Sequence, residues 1–203
     1  MRNPLHQGRM DGMCGVYAVM NGVSVLVQNR ISTQDLADLF KDLVRALYRR
    51  NHGRGPGGST PVDFIWEGTN VHDISLLLRT SKAFLSRRDL DLVWSRPLQG
   101  KARPATVSQY WERLRACFEE YEGRCVVILD YNFDGAYGEE GHWTCVEKMT
   151  QRTMRILDSS LSIHNPKGLI RRGSCTLGNK TARRPYRLFP HNVYLVRIRP
   201  GRN

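Results

Sequence analysis

The chain has 203 residues and a net charge of +12, from 31 Lys and Arg against 19 Asp and Glu. Apolar residues make up 40% of it and aromatic residues 9%, which excludes a wholly disordered protein. No apolar run is long enough to span a membrane, and residues 1–4 lack the apolar segment of a secretory signal. We therefore expect a single domain, residues 1–203, in the cytoplasm. An effector exported by a non-classical route would have the same composition.

The five cysteines are an odd number, with no C-x-x-C pair and no Cys/His spacing typical of a metal site. The pattern favours reduced thiols, and we expect no metal and no cofactor. Free cysteine is among the most buried residue types. We expect that structural role for Cys117, Cys125, Cys145 and Cys175.

Cys14 is different because it stands at the start of an apolar helix. The thiolate is the nucleophilic form of cysteine, and the positive end of a helix dipole favours that anion. Gly12 and Gly15 flank the thiol with positions where another group can approach closely. The helix is expected to lie in the interior because its residues are apolar nearly all round: Val16, Tyr17, Ala18, Val19, Met20, Val23, Val25, Leu26 and Val27.

Gln7 precedes this cysteine by seven residues. Its side-chain amide could donate to an oxyanion together with the backbone N–H of Cys14. The alternative is an ordinary solvated glutamine.

A second helix is predicted after Ile31. Ser32 is a suitable N-cap, Asp35 can reach back to it, and Ile31 and Leu36 are spaced as a hydrophobic staple. The glycine-rich residues 53–58 match G-x-G-x-x-G formally, but they follow a basic helix end rather than a strand. We interpret them as a loop bordering a cleft.

The remaining elements follow from periodicity and turn residues. A helix is expected to start between Asn70 and Asp73 and to end near Arg79. Residues 131–140 are expected to form a loop over the active site, and residues 166–190 a basic loop that meets a partner. The other predictions are a helix over 107–121 and strands over 90–94, 125–129 and 192–198.

Residues 142–149 and 153–158 are predicted to form a hairpin. A three-residue loop, 150–152, would pair Met149 with Thr153 and place His142 diagonal to Asp158. The Asp158 carboxylate could then hold the imidazole of His142 in one tautomer. A loop of two or four residues would place Asp158 on the opposite face of the hairpin from His142. The alternative orienting residues are then Asn132, Asp130 and Asn165. A packed strand histidine is the alternative for His142 itself.

These motifs resemble the papain-like cysteine peptidase superfamily, in particular the bacteriocin-leader-processing peptidases. The resemblance rests on residues 7–18, on Gly-His-Trp at 141–143 and on Leu-Asp-Ser-Ser at 157–160. It implies Cys14 as nucleophile, His142 as base, Asp158 as orienting residue and Gln7 as oxyanion donor. The chain departs from the pattern in the two residues between Asp11 and Cys14, in the spacing of Gln7 and in the serine after Asp158.

The expected fold is therefore α+β and papain-like, with a helical lobe over about 1–90 and a sheet lobe over about 91–203. The expected function is a thiol hydrolase that cleaves an amide bond in a peptide or protein. An isopeptidase acting on a ubiquitin-like modifier, a glutamine deamidase and a transamidase could use the same apparatus.

The arginine-rich C-terminal third supports an alternative from another class. A scaffold without catalytic activity could use this basic surface to bind an acidic protein or nucleic acid. No recognised nucleic-acid motif accompanies the charge, so a solvated basic face or an acidic protein partner is favoured. The basic residues are Arg171, Arg172, Lys180, Arg183, Arg184, Arg187, Arg197, Arg199 and Arg202.

Overall fold

A computed structural model describes residues 12–52, 68–135, 138–157 and 168–199. In these ranges the chain forms four α-helices and seven β-strands. The helices are α1 (Cys14–Val27), α2 (Thr33–His52), α3 (Val71–Ser86) and α4 (Val107–Glu120). The strands are β1 (Asp91–Ser95), β2 (Cys125–Gly135), β3 (Gly138–Met149), β4 (Thr153–Leu157), β5 (Leu169–Arg171), β6 (Cys175–Thr176) and β7 (Tyr186–Arg199).

The strands build one sheet in the order β1-β7-β2-β3-β4-β5. All neighbours along this path are antiparallel, and β6 adds a short parallel pairing to β7. Three helices precede all seven described strands, and helices combined with an antiparallel sheet confirm the predicted α+β class. None of the described helices is long and apolar enough to cross a membrane.

Each face of the sheet buries its own hydrophobic core. The α1-side core joins α1, α2 and α3 to the sheet residues Val126, Ile128, Trp143, Cys145, Tyr194 and Val196. The α4-side core joins α4 to Val127, Leu129, Tyr131, Val146, Ile156, Val193 and Leu195. Neighbouring residues of a strand contribute to opposite cores because side chains alternate across a sheet. The division into a helical and a sheet lobe stays a prediction.

Helices α2 and α3 begin with the capping residues that the sequence predicted. Ser32 Oγ accepts from the Asp35 N–H at 3.0 Å, and an Asp35 carboxylate oxygen accepts from the Ser32 N–H at 2.9 Å. Asn70 and Asp73 form the same reciprocal arrangement at α3. The predicted end of α3 near Arg79 is wrong, because the apolar stripe continues through Phe84 and Leu85 to a helix end at Ser86.

The loop predicted over 131–140 is also wrong for most of its length. Strand β2 continues to Gly135 and β3 begins at Gly138, with pairs that run from Tyr131–His142 to Gly135–Gly138. Glycines and aromatic residues suggested a loop, but cross-strand pairing extends the hairpin through most of this segment. His142 therefore lies within a paired strand.

The described part of residues 166–190 differs from the expected irregular loop as well. It contains β5, a 3-10 turn over Arg172–Ser174, β6 and the start of β7. Cys175 and Thr176 are buried there. Short strands of two or three residues leave too few positions for a periodic signal.

The β3–β4 hairpin has the predicted pairing of Cys145 with Leu157, but a longer connection and a bulge produce it. Counted between the first paired residues, Met149 and Met154, the connection has four residues, 150–153. Within it the Thr150 N–H donates to the Thr153 carbonyl at 2.8 Å. A bulge between Val146 and Lys148 then adds one residue to β3. Cys145 consequently pairs with Leu157, as the three-residue loop predicted.

Candidate functional site

Cys14 is the first residue of α1 and is buried, with 7% of its surface exposed. The helix behind it is enclosed on most sides, and Val16, Val19, Met20 and Val27 are fully buried. This confirms the prediction of an interior helix. Met13 occupies the N-cap position, where a thioether is a weak acceptor. The first-turn N–H groups of α1 therefore depend on tertiary partners.

Thr69 supplies one such partner. Its Oγ1 accepts a hydrogen bond from the Gly15 N–H at 3.1 Å. The preceding Gly68 has φ +80°, and a Cβ there would lie 3.7 Å from the Gly12 carbonyl oxygen. The segment that leads into α3 thus runs along the turn that carries Cys14. This is the close approach that the glycines on either side of the thiol predicted.

The same threonine contacts the strand that carries His142. The indole Nε1–H of Trp143 donates to the Thr69 carbonyl at 2.8 Å. Trp143 is 3% exposed and shares the α1-side core with Cys14. Gly15 and Trp143, the residues that follow Cys14 and His142, are therefore joined through one residue.

His142 is buried, with 6% of its surface exposed, but its ring lies on the other side of β3 from the Trp143 indole. The His142 and Tyr131 ring centroids are 5.6 Å apart in an edge-to-face arrangement, and the Phe133 centroid lies 6.4 Å away. Tyr131 belongs to the α4-side core. The imidazole is thus packed beside two aromatic rings of β2.

The pairing of β3 with β4 is shorter than its pairing with β2 in the described part of the chain. Within the described residues β4 pairs with β3 only from Cys145 onward, where Leu157 is its partner. Helix α1 crosses this region, since Asn21 Nδ2 donates to the Leu157 carbonyl at 3.3 Å.

Asp130, one of the alternative orienting residues, lies beside β3 in a partly buried position. Its carboxylate accepts from Asn192 Nδ2 at 2.9 Å and from the backbone N–H of His142. Burial raises the pKa of Asp130, and the Asn192 hydrogen bond and the charge of His142 oppose that rise. Asp130 thus interacts with His142 directly.

Asn132, the second alternative, pairs with Gly141 across the β2–β3 ladder. A Cβ on Gly141 would lie 3.3 Å from Asn132 Oδ1, so the glycine leaves room for this side chain. Three of the predicted participants, Gln7, Asp158 and Asn165, lie outside the described residues. Their roles stay predictions.

The other four cysteines are structural thiols. Cys125, Cys145 and Cys175 are buried, and Cys117 is partly exposed. Burial raises the pKa of Cys125 and of Cys175 to about 12, and it also raises the pKa of Cys145 and Cys117. A raised pKa favours the neutral thiol, the less nucleophilic form, at pH 7.

The comparisons with known proteins do not add a family. Neither the protein-family models nor the curated proteins include a match to this chain.

Thr69, Trp143 and Asn192 have contacts at this site that periodicity did not reveal. Trp143 is part of the Gly-His-Trp motif, yet its indole N–H could have had any buried acceptor as partner. Thr69 had a weak signal, since it stands between Gly68 and the N-cap Asn70. Its contact with Gly15 spans 54 residues of sequence, beyond any local pattern.

Proposed function

We propose that this protein is a papain-like thiol hydrolase that cleaves an amide bond in a peptide or protein. The observation that carries the proposal is the link between Gly15 and Trp143 through Thr69. It supports a common site for Cys14 and His142, because each of these residues is the immediate neighbour of one end of the link. Among the described residues, β4 pairs with β3 only from Cys145 onward, and thiol and imidazole would approach beside the preceding part of β3.

In the proposed reaction the Cys14 thiolate attacks the amide carbonyl carbon, and the carbonyl electrons move to the oxygen. The backbone N–H of Cys14 and the amide of Gln7 would stabilise that oxyanion. When the C–N bond breaks, protonated His142 gives its proton to the leaving nitrogen. Water, deprotonated by His142, then attacks the thioester, which releases the acid and regenerates the thiol.

The environment of His142 suits this role in two respects. Its side chain is buried, and its ring lies beside those of Tyr131 and Phe133. A carboxylate can also orient it. Asp158 is the residue proposed for this, and Asp130 is the alternative because it already interacts with the His142 backbone.

The test is the rate of iodoacetamide alkylation at each cysteine between pH 5 and pH 9, resolved by peptide mapping. We expect Cys14 to react fast below pH 7 in the wild-type protein and to lose this fast reaction in His142→Ala. A thiolate–imidazolium pair would explain both results, since the charged base stabilises the anion.

His72→Ala is the matched control because it removes another histidine, one that is exposed on α3. It should leave the Cys14 profile unchanged. If Cys14 reacts like Cys145 in the wild-type protein, or if both histidine variants behave alike, the proposed mechanism is wrong. Asp158→Asn and Asp130→Asn, measured in the same way, would separate the two candidate orienting residues.

A cleft on the α4 side favours the second candidate function, the binding of an acidic protein by a scaffold without catalytic activity. This cleft has a volume of about 500 Å³ and is lined by Arg172, Arg184, Thr106 and Ser108 among others. The first turn of α4 contains no acidic residue. Among the described residues, neither arginine side chain forms an ion pair, so both remain available to carboxylates.

This alternative predicts binding of an acidic peptide that weakens steeply with salt. Arg172→Gln with Arg184→Gln should abolish the binding of a fluorescent poly-glutamate peptide at low salt. A double variant of two exposed arginines away from the cleft, Arg45→Gln with Arg124→Gln, changes the net charge equally and should retain binding. Equal losses of binding in the two double variants would show that the interaction depends on net charge alone and not on the cleft.

A further inference from the structure

We propose that Thr69 is a positioning residue that holds the first turn of α1 against the histidine-bearing strand. The inference rests on the proposed function, since the turn carries the nucleophile of that reaction. Thr69 contacts neither the substrate nor the reacting atoms in this scheme. It acts through Gly15 and Trp143.

Two different groups of Thr69 make the two contacts. The side-chain hydroxyl oxygen accepts from the Gly15 N–H at 3.1 Å, and the backbone carbonyl accepts from Trp143 Nε1 at 2.8 Å. The contact to β3 is therefore independent of the side chain at position 69. The contact to α1 requires a hydroxyl there.

The hydroxyl of Thr69 also packs closely beside Gly15. The position that a Cβ of Gly15 would occupy lies 2.1 Å from Thr69 Oγ1 and 2.8 Å from Ile74 Cδ1. Thr69 and Ile74 thus fill the space beside the turn from one side of it. The hydroxyl is in van der Waals contact with the backbone of Gly15 as well as hydrogen-bonded to it.

The position of this turn decides the geometry of the proposed reaction. Cys14 and His142 belong to α1 and β3, so their separation depends on how those two elements are held together. A displacement of about 1 Å at a reacting group can cost two orders of magnitude in rate. Removal of one hydrogen bond to the turn should produce part of that loss.

The experiment compares Thr69→Val with Thr69→Ser. Valine keeps the shape of the side chain but cannot accept from the Gly15 N–H, whereas serine keeps the hydroxyl. We expect the Cys14 alkylation rate at pH 6 to fall about tenfold in Thr69→Val. In Thr69→Ser it should stay within about twofold of the wild-type rate. Thr80→Val makes the same substitution within α3. It is the matched control and should leave the rate unchanged.

Amide hydrogen exchange of Gly15 provides a second readout that needs no activity. The Gly15 amide should exchange about tenfold faster in Thr69→Val, with the amides of Val19 and Val23 unaffected. Uniformly faster exchange along α1 would indicate general destabilisation and would overturn the positioning role. So would an unchanged Cys14 rate in Thr69→Val, or a loss in Thr69→Ser as large as in Thr69→Val.

The failure of this inference is distinguishable from the failure of the proposed function. A wild-type Cys14 without fast alkylation would contradict the thiol hydrolase and the positioning role together. A fast wild-type Cys14 with an unaffected Thr69→Val variant would contradict the positioning role alone.

Discussion

The side-chain hydroxyl of Thr69 occupies the space in which a side chain at position 15 would begin. A Cβ on Gly15 would lie 2.1 Å from Thr69 Oγ1, a distance that two such atoms cannot adopt. The glycine after the candidate nucleophile is therefore required by a contact that spans 54 residues. Its conformational freedom is secondary, because α1 is helical there.

Replacement of glycines in the described structure should follow this packing. Gly15→Ala should lower the free energy of unfolding by about 2 to 3 kcal/mol, since Thr69 and Ile74 must both move. Gly22→Ala should cost less, because its Cβ would lie 3.2 Å from Val126 Cγ2 and 3.5 Å from Cys145 Sγ, and alanine favours the helix. Urea denaturation measures both differences.

Gly173→Ala is the control for this series because nothing lies within 4 Å of a Cβ at that position. It should change the free energy of unfolding by less than about 1 kcal/mol. A Gly15→Ala protein as stable as Gly173→Ala would show that the Thr69 contact is absent in solution.

Asp35 should make stability depend on pH in the acid range. Hydrogen bonds from Ser32, then from Arg88, lower the pKa of Asp35 from 3.8 to about 2. The folded state thus favours the ionised carboxylate, and its contribution is present above about pH 4 and is lost as the pH falls towards 2. Asp35→Ala should lower the melting temperature at pH 7, with a difference that shrinks through this window.

Asp38→Ala is the comparison for Asp35, since Asp38 lies on the same helix in an exposed pair with Lys41. Its effect on the melting temperature should be smaller at every pH. Equal effects of the two variants would contradict the reciprocal cap of Ser32 and Asp35.

Asp130 should have the opposite pH dependence. Burial raises the pKa of this carboxyl group above 3.8 in the folded state, so the folded protein retains a proton that the unfolded chain has released. Stability contributed by this group falls as the pH rises above about 4 towards the raised pKa. The amide of Asp130→Asn does not titrate. The melting temperature of this variant, relative to that of the wild-type protein, should therefore rise as the pH increases across this window.

Asp134→Asn is the matched substitution for Asp130, because Asp134 is exposed on the same strand and pairs with Lys180. A parallel rise in both variants would mean that net charge, not burial at position 130, causes the effect. Thermal unfolding from pH 3 to pH 8, followed by circular dichroism, measures the difference.

Trp111 connects α4 to the β3–β4 turn. Its indole Nε1–H donates to the Thr150 carbonyl at 2.8 Å, and its side chain is fully buried. Trp111→Phe leaves that carbonyl without its donor and creates a small cavity, at a cost of about 2 to 3 kcal/mol in unfolding free energy. Trp94→Phe, on a partly exposed strand position, should cost less than about 1.5 kcal/mol in the same urea titration.

Local patterns predicted the elements whose causes are local. The start of α2 depends on Ser32 and Asp35, three residues apart, and the start of α3 on Asn70 and Asp73. The apolar residues after Cys14 predicted a buried helix, and α1 is buried. Cross-strand pairing, by contrast, extends β2 and β3 through residues 131–135 and 138–140, where the composition indicated a loop.

The β3–β4 hairpin shows how two local errors can cancel. The connection is one residue longer than predicted, but the bulge between Val146 and Lys148 restores the pairing of Cys145 with Leu157. Alternation still predicted the faces correctly, since Val146, Met154 and Ile156 share the α4-side core. The position of a bulge depends on tertiary packing, which a single strand does not encode.

Taken alone, the amino-acid sequence determined the α+β class, the buried helix that begins at Cys14 and the strand that carries His142. Each of these depends on residues within a few positions of one another, through side-chain periodicity and capping. Only the tertiary structure decided that Thr69 joins Gly15 to Trp143, that Asp130 contacts the His142 backbone and that the His142 ring lies among aromatic residues on the α4 side of the sheet. These contacts join residues on different elements, and their formation depends on the packing of helices and strands against each other.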